Sequence, residues 1–170
     1  MVKHKIYARH SKVSTQDRLP LPIIRESVRR TLEKECVDVP CEVSVLITDD
    51  STIHAINLEY RGIDKATDVL SFPMLELSPP GWSAIPDDAI DIETGLVPLG
   101  EIILSASQVR KQAEEHHQTI GQETAYLTVH SVLHLLGYEH VDDADGKKQM
   151  REREKVIMHE IGYANLGFNA

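Results

Sequence analysis

Cysteine is scarce. The 170-residue chain carries Cys36 and Cys41, which form no C-x-x-C pair. That excludes a disulfide scaffold and reads as two reduced thiols of a cytosolic protein. Positive charge is also in short supply: 18 Lys and Arg stand against 27 Asp and Glu, a net charge of −9. The bulk field of a general nucleic-acid binder is therefore missing, and contact with RNA or DNA requires a local basic patch. No apolar run approaches the roughly 20 residues that span a bilayer. The longest, Tyr126 to Leu136, is broken by Thr128, His130, Ser131 and His134. The basic opening MVKHKIYARH leads into no apolar h-region, so no targeting signal is expected and the expected location is the cytoplasm. Internal repeats, heptads and low-complexity tracts are lacking too. What remains, 41% apolar and 26% charged residues, excludes a disordered chain and is the composition of one compact domain with a full core.

Periodicity orders the elements. Val2–Ala8 alternates as a strand, and Ile23–Glu35 repeats Ile24, Val28 and Leu32 at helical spacing. Glu42–Thr48 is a β-branched strand, after which Asp49, Asp50 and Ser51 offer N-caps for a helix over 52–60. Asp68–Phe72 and Leu99–Ser105 are strands, the second apolar enough for a covered sheet. Helical patterns follow over 106–117, 121–136 and 144–161. The expectation is an α+β fold, a small mixed β-sheet of about four strands packed with about five to six helices in a single domain over 1–170. Residues 74–98 break the pattern with six Pro or Gly, five acids and no Lys or Arg. They read as a surface insertion or as a lid beside a functional site.

The segment from His130 to His140 is the informative one. On a helix, His130 and His134 project from one face about 6 Å apart along the axis, while Ala125, Val129, Val132 and Leu136 lie opposite as a core stripe. Gly137 tolerates the left-handed conformation of a helix stop, so the chain can turn and bring His140 back. Three imidazoles meeting this way can hold one Zn²⁺, or another divalent transition metal, at about 2.0–2.1 Å with one position open. Metzincin proteases share the spacing, but their general base follows the first histidine, and here Ser131 stands there. The other histidines earn no such reading: His116 and His117 fall on a solvated face, and His4, His10, His54 and His159 have no partner spacing.

Asn57–Pro73 is the second unusual stretch. Asp64, Thr67 and Asp68 suit a helix-to-strand connection in which their side chains satisfy backbone amides. Arg61 offers a planar, permanently charged fork for a phosphate or for a buried carboxylate, and spacing does not choose between them. Basic residues gather in two helices: Arg25, Arg29, Arg30 and Lys34 in the first, and Lys147, Lys148, Arg151, Arg153 and Lys155 in the last, where Glu152 and Glu154 dilute the charge.

Three motifs stand together: N-x-x-Y-R-x-x-D-x-x-T-D-V-L-S-F-P over Asn57–Pro73, L-G-E-I-I-L-S over Leu99–Ser105, and H-x-x-x-H-L-x-G-Y-x-H over His130–His140. In this order they resemble the YbeY family, from about residue 40 to residue 160. The resemblance implies a bacterial, metal-dependent endoribonuclease directed at single-stranded RNA. It would act in rRNA maturation, at the 16S rRNA 3′ end, and in ribosome quality control. It also implies zinc on His130, His134 and His140, with Arg61 as the residue that stabilises phosphate charge beside the catalytic His130 and His134. Arg25 and Arg29 become candidate RNA contacts, and the ribosome or its proteins candidate partners. No membrane and no small-molecule cofactor is implied. The chain departs from the family at Ser131, where Gly is usual, at Glu101 and Glu139, where Asp is common, and in its longer Pro-rich insertion. Two other readings remain: a different three-histidine zinc hydrolase, peptidase-like, and a ribosome-assembly factor whose metal is structural.

Overall fold

The computed structural model describes residues 2–78, 85–139 and 144–163. Along the chain it runs β1 (Lys5–His10), α1 (Leu21–Lys34), β2 (Cys41–Thr48), α2 (Asp50–Arg61), β3 (Val69–Pro73), β4 (Val97–Ser105), α3 (Ala106–Glu115), α4 (Ile120–Leu135) and α5 (Ala144–Ile161). Short 3-10 turns lie at Thr15–Asp17 and Asp87–Ala89. The strands form one sheet in the order β1-β2-β4-β3. The first three are parallel, and β3 joins antiparallel at the edge. This is the mixed α+β architecture expected from the sequence.

Boundaries move by a few residues for local reasons. β1 starts later than its alternation, because pairing begins at Lys5 opposite Glu42. α1 starts earlier, because Pro22 in its first turn needs no hydrogen-bond partner for its nitrogen. α2 starts at Asp50, where the Asp49 side chain accepts a bond from the Thr52 amide at 2.9 Å, a cap of about 1 kcal/mol.

The two faces of the sheet are covered unequally. Val43, Val45, Ile47, Ile102 and Leu104 bury against Ile24, Val28 and Leu32 of α1 and Val129, Val132 and Leu133 of α4. Each such side chain contributes roughly 1.5–3 kcal/mol when fully buried. On the other face Ile103 and Leu70 meet Ile53 of α2 in a smaller cluster. α4 is the centre of the helical layer, touching α1, α3, α5 and the edge strand β3. Ten of its 16 residues are buried, so whatever polar chemistry it carries is confined to a narrow stripe. The insertion is anchored at its flanks, where Leu75, Leu77, Ile85 and Ala89 pack on the main core. Its middle, residues 79–84 of the 74–98 segment read as an insertion or lid, lies outside the described residues, as does His140. Among the described residues no helix is long and apolar enough to cross a membrane.

Candidate active site

The stripe of α4 left half-buried carries Tyr126, His130 and His134, four residues apart in sequence. The two imidazoles stand nearly perpendicular, at 82°, with ring centroids 4.5 Å apart. Their Nε2 atoms approach to 3.0 Å. His134 Nδ1 is 2.8 Å from the Tyr138 carbonyl oxygen, and His130 Nδ1 is 2.8 Å from Glu154 Oε1. A carbonyl and a carboxylate can only accept, so both Nδ1 atoms carry protons and donate. With both Nδ1 atoms engaged, the two Nε2 atoms are left converging on one point, and imidazole nitrogens held in this way are a donor set that suits Zn²⁺ and similar ions. The residues present therefore fit a metal. Among the described residues no group of three or more His, Cys, Asp or Glu is placed to hold one; the third histidine of the motif, His140, lies beyond them.

Both acceptors are themselves fixed. Glu154 sits on the buried stripe of α5 with Met150, Ile157 and Met158. It also hydrogen-bonds Tyr126, whose phenol is held protonated, well above its ordinary range, first by burial and then by this carboxylate. Tyr138 follows Gly137, whose φ of +98° suits glycine, and a Cβ there would lie 2.1 Å from the Leu77 carbonyl oxygen. The base of the insertion is thus clamped on the histidine turn. Burial, with Glu35 beside it, raises the Tyr138 phenol as well. Arg153 bridges from α5 to Glu35 at 3.3 Å and to the Lys34 carbonyl at 3.1 Å, bracing the same turn from α1.

Arg61 arrives from the opposite face of the sheet. α2 ends on it because Gly62 adopts the left-handed conformation, φ +68°. Buried Asn57 ties the following loop by donating to the Lys65 carbonyl at 2.9 Å. The Arg61 side chain thereby lines a cavity of about 710 Å³ that is also walled by Asp68, Ser71, Tyr126, His130, His134 and Glu139. Its guanidinium enters no ion pair or hydrogen bond among the described residues. Asp68 is occupied by the Val69 amide at 2.7 Å and by Gln112 at 3.1 Å, and Asp64 by His54 at 2.7 Å. The connection thus uses its acids structurally.

The other candidates lie elsewhere. Arg29 is tied to Glu26 and Glu33, Arg30 to Glu26, and Lys34 to Glu160. Arg25 lines a separate cavity of about 300 Å³ with Tyr7, Arg9 and Ser44. Ser131 is fully buried and faces away from the cavity. Sequence reasoning missed Glu154, which it counted as charge dilution. The available signal was an acid in register with Met150 and Ile157, on the apolar side of its helix.

A family model described as Endoribonuclease YbeY matches residues 5–162. Curated proteins named Endoribonuclease YbeY are similar over most of their length. One from Clostridium kluyveri is 42% identical over 157 residues, covering 88% of this chain and 93% of its own. One from Agathobacter rectalis is 44% identical over 139 residues, covering 79% and 84%. A solution structure of a Thermotoga maritima protein superposes with a TM-score of 0.58 at 24% identity, covering 97% of this chain and 99% of that one, and shares the fold.

Proposed function

The chain belongs to the YbeY endoribonuclease family, and from that premise we propose that it cleaves RNA at the site on α4 with a bound zinc ion. The observation that carries the reading is the pair of Nε2 atoms facing each other at 3.0 Å inside a cavity that Arg61 also lines. His130 and His134 would hold the ion, with His140 the third ligand that the motif implies. When bound, the ion supplies Lewis-acid charge and lowers the pKa of water toward about 7.

The chain's own residues do the rest. Glu154 and the Tyr138 carbonyl fix both imidazoles in one tautomer and one orientation, which keeps their Nε2 atoms available. Arg61 grips the non-bridging oxygens of the phosphodiester and stabilises the negative charge that grows on them as the bond breaks. The cavity, open between α4 and the edge strand β3, suits a single strand of RNA. An rRNA precursor or defective ribosomal RNA is the substrate this reading assigns, and a ribosomal partner would offset the acidic surface. A peptidase reading is weaker, because Ser131, at the place of the metzincin base, is buried away from the cavity.

The deciding experiment compares zinc-loaded wild type with His134→Ala on a precursor rRNA bearing single-stranded ends. Cleavage by the wild type alone, with both proteins folded by circular dichroism, is expected. Equal cleavage by both, or by neither, would overturn the reading.

A further inference from the structure

Tyr126 and His130 also wall a second cavity, of about 260 Å³, that Arg61 does not reach. Its remaining walls, Lys147, Met150, Arg151 and Glu154, all come from α5. Lys147, Arg151 and Glu154 are spaced four and three residues apart, so they share one helix face. Met150 and Glu154 are buried and form its floor, while Arg151 is half-buried and Lys147 exposed at the mouth. The Glu154 carboxylate is engaged by His130 at 2.8 Å and by Tyr126. Lys147 and Arg151 enter no ion pair among the described residues. In a chain of net charge −9 this contrasts with Arg29 and Arg30, which are held by acids of their own helix.

Two cations that pair with no acid among the described residues, sharing a wall with the site where a phosphodiester would be cut, suit an anion. We propose that this second cavity is a phosphate subsite, in which Lys147 and Arg151 take the phosphate adjacent to the scissile one. The proposal rests on the endoribonuclease reading and extends it. Successive phosphates of one strand are a single nucleotide apart, and the two cavities meet at Tyr126 and His130, so one strand reaches both. Arg151 supplies a planar fork for two phosphate oxygens, and Lys147 a mobile point charge at the rim. The subsite then acts on substrate binding, while Arg61 acts on the phosphate that reacts. Strand register over the site would be set by α5.

The test uses zinc-loaded full-length protein and oligoribonucleotides extended one nucleotide at a time on either side of one cleaved bond. Wild type is compared with the Lys147→Ala/Arg151→Ala and Lys147→Arg/Arg151→Lys pairs. For the wild type, one particular extension should lower KM by about tenfold, the scale of a charge-assisted contact. The alanine pair should lose that step with kcat and Tm unchanged, and the charge-conserving pair should regain it. The slope of log affinity against log salt should fall by about 0.7 for each phosphate contact removed. An alanine pair that keeps the step and the salt slope overturns the subsite and leaves the ribonuclease reading standing. Should the wild type cleave none of the series, fluorescence anisotropy separates the two claims. Salt-dependent binding lost in the alanine pair sustains the subsite while the cleavage reading falls, and equal binding by both overturns the subsite too.

Discussion

His130 Nδ1 and Glu154 Oε1 lie 2.8 Å apart across the α4–α5 interface, and Glu154 is almost sealed from water, with 4% exposure. A buried carboxylate that receives a ring N–H fixes the tautomer and makes the opposite nitrogen more basic. Glu154→Gln keeps the shape and an acceptor oxygen but removes the charge. Zinc affinity is expected to fall by about 10–100-fold with the fold intact, as read by competition with a chromophoric chelator. Wild-type affinity in the variant would make this contact incidental to metal binding.

Arg61 sits at the exposed end of α2 and lines the cavity without supporting the core. Arg61→Ala should therefore leave Tm and zinc content at wild-type values while kcat on RNA drops by about 10²–10³-fold. Arg61→Lys should recover part of that loss, since it restores the charge without the bidentate fork. Cleavage at the wild-type rate by the alanine variant would remove Arg61 from the chemistry.

The parts of this molecule that were legible in the sequence are those written in local periodicity. The β-branched, apolar run of β2 and the Val129–Val132–Leu136 stripe of α4 announced the sheet and the helix that carries the histidines, because burial acts along the whole of an element. The His130–His134 pair was legible for the same reason. Glu154 was not, since its partner lies 24 residues away and an acid on a charged helix looks solvated. Arg29 shows the limit from the other side: the sequence displays its charge, but not that the acids three and four residues from it, Glu26 and Glu33, pair with it. His4 and His10 read as unassigned because their partners are backbone amides, which carry no sequence signal at all.

Gly137 joins two segments that no pattern connects. With φ at +98° and the Leu77 carbonyl 2.1 Å from the place a Cβ would take, Gly137→Ala must displace either the histidine turn or the base of the insertion. A loss on the order of 2 kcal/mol or more is expected, from backbone strain and the clash together. Because the Tyr138 carbonyl next to it orients His134, zinc affinity should fall along with Tm. A calorimetric scan and a zinc titration of the same preparation would show both; a variant with wild-type values in each would mean that the turn adapts.

His4 precedes β1 and His10 ends it, and both should make the fold sensitive to acid. His4 Nδ1 accepts from the Cys41 amide at 3.1 Å, and His10 Nε2 accepts from the Leu19 amide at 3.0 Å. Only a nitrogen without a proton can accept, so each bond requires that atom deprotonated. Burial lowers both pKa values below the usual 6.5, and Arg18 lowers His10 further. In the unfolded chain both rings titrate near about 6.5. Below that pH the unfolded state binds protons that the folded state refuses, so stability is complete above it and is lost as pH falls toward the lowered values. Buried Glu123 works in the other direction, since its raised pKa favours the fold as pH falls. It is common to wild type and to a His4→Gln/His10→Gln variant, and cancels when the two are compared. Glutamine keeps an acceptor oxygen but does not titrate, so the drop in Tm between about pH 7.5 and pH 5 should be smaller in the variant than in the wild type. Equal drops would place the acid sensitivity of the fold on other groups.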